Sequence, residues 1–289
     1  MKLYLNAYNN DITWNKKNYL LHAAKKMGME DVIVPYTGGS VDYVLNIEPF
    51  FNFIKGDKFT SIWEIDVMFD RQEMSVSNWV ACDTVFIANS NLPERMKTFQ
   101  GELITMFQAC EPDMHKRIPG YEKKYDFVFS GSMGLDVYDE RARSIKTLRD
   151  AGFTFCDHQK GHTPQEYVKR LNDARVQFIR SAAKKPFTSQ VEQRFFECLA
   201  IGPVLKDYHP DLENLGLEEG KDFFWYKDDE EMITKMGMLI DDPAFAEQMA
   251  INGRRKSLMY HTYEHRISTI LKFIEEHTGE QFIDRELDG

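Results

Sequence analysis

The groups whose type and spacing could carry chemistry fall into two stretches of the chain. In Val191-Glu-Gln-Arg-Phe-Phe-Glu-Cys-Leu-Ala-Ile-Gly202, Arg194 and Glu197 stand three residues apart in a stretch of helical character, which puts both on one helix face. A carboxylate so placed can accept hydrogen bonds from the two hydroxyls of a ribose, and the guanidinium beside it can meet a phosphate. A solvated Arg–Glu ion pair has the same spacing. Upstream, Gly131-Ser-Met-Gly134 follows an apolar run and precedes a helical one. Glycines there let the amides of Gly131 and Ser132 approach an anion at a helix N-terminus, or simply make a strand-to-helix turn. No Walker lysine accompanies them, so this is not a P-loop. Lys206 is a further candidate phosphate cation, and Tyr226 offers a ring either for a nucleobase or for the core.

The other stretch is Trp63-Glu-Ile-Asp-Val-Met-Phe-Asp-Arg71. Its carboxylates follow an apolar strand, and α/β folds bind ligands beyond the carboxyl ends of strands. Asp66 is the first candidate for a general base, a role that contributes roughly 10²–10⁴ in rate, with Glu64 and Asp70 as rivals. Asp66 suits helix capping equally well. His261 and His265 are four apart but lack a flanking Glu or a third ligand, and no Asp-x-Asp pair lies in a suitable loop, so no metal site is expected.

These groups must be positioned by alternating strands and helices. Leu3–Ala7 reads as a strand and Lys16–Met27 as a helix with Tyr19, Leu20, Ala23, Ala24 and Met27 on one face, ended by Gly28. Strands are expected at 31–35, 43–47, 61–65, 84–88 and 103–107, and a helix starts near Asn91-Leu-Pro. Residues 111–124 are polar, hold two prolines and a glycine, lack periodicity and read as a linker. Beyond it come strands at 125–130, 153–156, 176–180, 203–206 and 222–226. The helices expected there cover 139–151, a stretch opened by the capping box Thr163-Pro-Gln-Glu166, then 190–201, 229–240, 243–260 and 263–277. Such alternation predicts βα units around parallel sheets. The 289 residues exceed what one core comfortably serves. Two Rossmann-like domains are expected, 1–115 and 116–262, facing across a cleft, with the last helix, within 263–289, crossing back to the first domain.

Composition removes several classes. The formal charge is -10 and both halves are acidic, which argues against a generic nucleic-acid binder. His115-Lys-Arg117, Lys123-Lys124 and Lys184-Lys185 could still line a local groove. No apolar run is long enough for a membrane span, and the start lacks a signal-peptide pattern, which points to the cytoplasm. Cys82, Cys110, Cys156 and Cys198 are too scattered for a disulfide framework or a zinc site.

The span Arg194-x-Phe-Glu-x-x-Ala-x-Gly202, with Val204–Tyr208, Pro210-Asp-Leu-Glu213, Tyr226-Lys-Asp-Asp229 and His261-Thr-Tyr-Glu-His-Arg266, is similar to the CgeB-like, spore-maturation-type glycosyltransferases of the GT-B superfamily. Gly131-Ser-Met-Gly134 with Arg141 and Arg143 resembles the start of the same domain. The resemblance implies a GT-B fold and transfer of a sugar from a nucleotide diphosphate, with no cofactor beyond the nucleotide-sugar co-substrate, expected to be a UDP-sugar. Donor contacts would come from Gly131, Ser132, Arg194, Glu197, Lys206 and Tyr226. In retaining relatives a Glu-x7-Glu pair holds the donor. Glu197 matches its second member, while Ser189 stands where the first would be, so the stereochemical outcome is not implied. The acceptor is left as a small molecule, a glycan or DNA. Two other readings stand beside this one: a bacteriophage-type enzyme glycosylating DNA bases, and a non-catalytic sugar-nucleotide binder.

Overall fold

The structure is a computed structural model, and it describes residues 1–7, 16–47, 53–64, 79–90, 99–133, 139–157, 163–181 and 191–282. The chain divides into two compact units: Met1–Phe107 with Tyr263–Gly289, and Gln108–Thr262. The first division therefore falls ahead of the segment read as a linker.

The first unit is built on one parallel sheet. Its strands are β1 (Leu3–Ala7), β2 (Ile33–Pro35), β3 (Tyr43–Ile47), β4 (Phe59–Glu64), β5 (Thr84–Ile87) and β6 (Glu102–Thr105). They lie in the order β2-β1-β3-β4-β5-β6. Every residue of β3, β4 and β5 is buried, as expected for parallel strands covered on both faces. Helix α1 (Lys16–Lys26) buries Tyr19, Leu20, Ala23 and Ala24. It ends where Gly28 takes φ +68° and donates its N–H to the Lys25 carbonyl, a left-handed stop that other residues adopt at a cost.

The second unit repeats the plan. Its strands are β7 (Tyr125–Phe129), β8 (Phe155–Cys156), β9 (Ala174–Ile179), β10 (Val204–Asp207) and β11 (Phe224–Tyr226), all parallel, in the order β11-β10-β9-β7-β8. The helices are α2 (Asp139–Asp150), α3 (Pro164–Asp173), α4 (Gln193–Leu199), α5 (Asp229–Asp241) and α6 (Pro243–Tyr260). Thr163 closes the expected capping box: its side chain accepts from the Glu166 amide while Glu166 accepts from the Thr163 amide. One face of the sheet packs Phe127, Phe129, Phe178, Leu205, Phe224 and Tyr226 against apolar residues of α2, α5 and α6. Helices α3 and α4 meet strands of the same sheet. Helix α7 (Tyr263–Thr278) belongs to the first unit, where Tyr263 lies 5.1 Å from the Tyr19 ring and Phe273 lies 5.5 Å from Phe86.

The polar segment 111–124 is not free chain. Glu111 and His115 are buried, Asn172 at the end of α3 receives the Ile118 N–H and donates to the Lys116 carbonyl, and the Tyr121 hydroxyl donates to Asp173. Aperiodic backbone can lie against a domain when side chains of another element satisfy it, and those partners lie far away in sequence.

Candidate functional site

In each unit the chain leaves its first strand in one direction and returns on the other side, which makes a topological switch point where open α/β sheets bind ligands. In the second unit this point lies between β7 and β9. Ser130, Gly131 and Ser132 follow β7 there, and Arg180 and Ser181 follow β9.

Arg194, in the first turn of α4, comes to this point. Its guanidinium sits 5.9 Å from the Phe129 ring, and Nη1 is buried with no hydrogen-bond partner. A Cβ built on Gly131 would stand 2.8 Å from that Nη1 and 2.8 Å from Phe129 Cζ. Glycine is therefore needed here for close approach rather than for unusual backbone angles. A buried donor left unmade costs about 1–3 kcal/mol, more when charged, so Arg194 is poised for an anion above the turn.

Arg141, nearly buried, ties the two sides of the switch point together: Nη1 donates to the Ser132 carbonyl at 2.9 Å and Nε to the Arg180 carbonyl at 3.0 Å. Arg180 in turn reaches Glu140 Oε2 at 3.1 Å and lies 3.8 Å from Asp207. Burial works against the charge on Arg180, but Tyr226, Asp207 and Glu140 outweigh it and raise its pKa.

Glu197, on the next turn of α4, is held by two donors. The Tyr167 hydroxyl gives Oε2 a 2.6 Å bond and the Gln193 amide gives Oε1 another of 2.6 Å. His115 Nε2 stands 3.5 Å from Oε1. Because His115 Nδ1 accepts the Glu111 N–H, the imidazole proton belongs on Nε2, facing the carboxylate. Burial lowers the His115 pKa despite Glu197, which keeps the ring neutral. Each carboxylate oxygen has a second acceptor site, so Glu197 is oriented by Tyr167 and Gln193 and retains capacity for hydroxyls.

Two expectations for this unit change. Lys206 is fully buried and its ammonium is shared among Ser181, Asp207 and Glu192, so it does not reach out to a phosphate. Tyr226 is 2% exposed, stacked on Phe178 at 5.8 Å and 16° within the core. Strand alternation turns it inward, so it is not a nucleobase platform. The proposed basic groove also changes, because His115 is buried, Arg117 makes a bidentate pair with Glu247 and Lys124 pairs with Asp173. Ser189, Lys184 and Lys185 lie outside the described residues.

In the first unit, Glu64 ends β4 and is 1% exposed, with Oε2 3.4 Å from Trp79 Nε1. It is a packed group at a strand end. Asp66 and Asp70 lie outside the described residues. Sequence reasoning passed over Asn6 and Asn46, register partners at this unit's switch point. Asn6 donates to Asn46 Oδ1 at 2.8 Å, and Asn46 also bonds the Ile54 backbone in both senses. Two buried amides at the carboxyl ends of adjacent β-strands were the signal for them. Tyr167, Gln193, Glu192 and Asp207 were missed because each acts by holding another side chain, Glu197 or Lys206, rather than through a motif of its own.

Two parallel α/β units, each wound about a switch point, are the fold of the GT-B glycosyltransferases. Structures of that class share it with this chain. The Anabaena protein Alr3699/HepE in complex with UDP and glucose is 10% identical, with a TM-score of 0.62 over 94% of this chain and 100% of that one. The DNA-modifying enzyme β-glucosyltransferase is 13% identical, with a TM-score of 0.61 over 97% and 100%. Sucrose-phosphate synthase from Thermosynechococcus elongatus is 10% identical, with a TM-score of 0.55 over 91% and 78%. The chain belongs to the glycosyl transferase-like family, whose model matches residues 113–272. A search of curated proteins finds no match. Among the described residues no helix is long and apolar enough to cross a membrane.

Proposed function

We propose that the protein transfers a sugar from a UDP-sugar to an acceptor hydroxyl, with the second unit holding the donor. The observation that carries this is the buried, unpartnered Nη1 of Arg194 above Gly131, at the switch point of a glycosyl transferase-like domain. Arg194 meets the diphosphate, and the amides after β7 approach it from the other side. Stabilising the charge that develops as the diphosphate leaves is the main catalytic contribution this unit can make, and it uses side chains and amides already in place rather than a metal. Glu197, fixed by Tyr167 and Gln193, takes the ribose hydroxyls. The motif Arg194-x-Phe-Glu-x-x-Ala-x-Gly202 supports placement in the spore-maturation-type branch. Asp66 is the proposed base from the first unit.

A thermal-shift panel of UDP, UDP-sugars and other nucleotides tests this reading, since a ligand that binds the native state raises its melting temperature by mass action. Uridine nucleotides should stabilise the protein selectively, and UDP-sugar should be consumed when acceptor is supplied. If no nucleotide moves the transition, the reading fails.

A DNA acceptor is favoured by one finding: a DNA-modifying enzyme matches over almost all of both chains. Against it, Arg117 and Lys124 have their charges met internally. Retention on duplex DNA that falls steeply with salt would support this acceptor, and no retention at low salt would remove it.

A further inference from the structure

We infer that Lys206 is a positioning residue for the donor diphosphate: it anchors Glu192 at the start of α4 and thereby sets where Arg194 stands over the Gly131 turn. This rests on the reading of the second unit as the donor-binding one.

An ammonium has three hydrogens, and Lys206 faces three acceptors: Ser181 Oγ at 2.9 Å, Asp207 Oδ1 at 3.0 Å and Glu192 Oε2 at 3.0 Å. The first two are hydrogen bonds and the third is an ion pair, and the ammonium that makes them is fully buried. The acceptors come from three places: Ser181 just beyond β9, Asp207 at the end of β10, and Glu192 immediately before α4. Asp207 completes the knot, taking the Ser181 N–H at 3.0 Å and its hydroxyl at 3.2 Å. Burial opposes the charge on Lys206, but Asp207 and Glu192 outweigh it and keep the pKa above the usual lysine value. The ammonium is thus a permanent cation at this junction.

Glu192 has no side-chain hydrogen bond to the start of its own helix. Its carboxylate instead meets Lys206, so the first turn of α4 is located by β10. Arg194 lies two residues further on, and its partnerless Nη1 is placed against Phe129 and Gly131 by that turn. Removing the ammonium leaves Glu192 without this anchor and leaves both it and Asp207 short of a cation. The turn carrying Arg194 then moves off the β7 loop. Sequence alone reads Lys206 as a phosphate ligand, and the geometry makes it the fixture behind one.

A double-mutant cycle on donor binding separates these roles. The affinities of UDP and of uridine, which lacks phosphates, are measured by calorimetry for the unmodified protein, Lys206→Met, Arg194→Met and the double variant. Each single change should weaken UDP by about tenfold or more and leave uridine unaffected, and the double variant should bind UDP no more weakly than Arg194→Met. Additive losses would show Lys206 touching phosphate itself and overturn the inference, as would unmodified UDP affinity in Lys206→Met. Should Lys206→Met fail to fold, Glu192→Gln enters the same cycle with the same expectations. A protein that binds uridine but not UDP, or neither, overturns the donor reading and this inference with it.

Discussion

Gly131→Ala is the sharpest single test of the site, because its effect on binding and its effect on stability separate. The added methyl would stand 2.8 Å from Arg194 Nη1, 2.8 Å from Phe129 Cζ and 3.1 Å from Phe129 Cε1. Phe129 is 1% exposed and packed near Phe178, with ring centroids 6.4 Å apart, so it yields little. The guanidinium, the far end of a flexible side chain, yields instead. Overpacking against the ring costs about 1–3 kcal/mol. Gly131 does not occupy the left-handed region, so alanine recovers about 0.4–1 kcal/mol by restricting the unfolded chain. The melting temperature should therefore fall by only a few degrees. Displacing Arg194 removes a charge-assisted hydrogen bond worth about 1.5–3 kcal/mol, which is roughly a 10- to 100-fold loss in UDP affinity. Uridine affinity should not change. Calorimetric titration of both ligands against the folded variant measures this. UDP bound as tightly as before would show that Arg194 does not face the phosphates. An equal loss of uridine affinity would show general damage to the pocket.

Further expectations follow from the same geometry. Glu197→Gln, which sets an amide against the donors of Tyr167 and Gln193, should weaken UDP and uridine alike by about tenfold; calorimetry showing a loss for UDP alone would move Glu197 from ribose to phosphate. Tyr226→Phe should leave UDP affinity unchanged, because the ring lies in the core. Asp66→Asn should lower turnover in a sugar-transfer assay while UDP affinity is retained, and unaltered turnover removes Asp66 as the base. His277 in α7 is bound on both ring nitrogens by acceptors, Glu102 at 2.8 Å and the Phe273 carbonyl at 2.8 Å, and the hydrogen bond to Glu102 leads the effects that raise its pKa. A raised folded-state pKa gives stability that is fully present below the unfolded value near 6.5 and lost as pH rises through the folded one. The melting-temperature gap between the protein and His277→Gln should thus be largest at acid pH and close towards alkaline pH, and a gap independent of pH would contradict the pairing.

Much of the second unit was legible because its boundaries are written locally. The Thr163-Pro-Gln-Glu166 box, the runs feeding β7 and β9, and Pro243 at the start of α6 each act over a few residues. The site was legible only in part, and the difference between Arg194 and Lys206 shows why. Both are cations near a glycine turn, and nothing in their own neighbourhoods separates a guanidinium with an unmade bond from an ammonium buried among three acceptors. The distinction depends on Ser181 and Glu192, which approach Lys206 from other elements. Strand parity puts Phe224 and Tyr226 on one face of β11, but only the packing of that face against Met232, Met236 and Leu239 of α5 shows that it is the core.

The polar segment before β7 makes the same point about partners. Two prolines, a glycine and no periodicity describe its backbone correctly, yet that backbone is held by Asn172 and its His115 faces Glu197. A neutral imidazole beside the Tyr167–Glu197–Gln193 group lets a carboxylate be buried and oriented without a counter-charge that would compete with a ribose for it. The cationic charge of the unit is kept at the β7–β9 side instead, in Arg194, Arg180 and Arg141. On the proposed reading, the two ends of α4 divide the labour by chemistry: a carboxylate held by uncharged donors for hydroxyls, and a guanidinium beside a buried ion pair for phosphates.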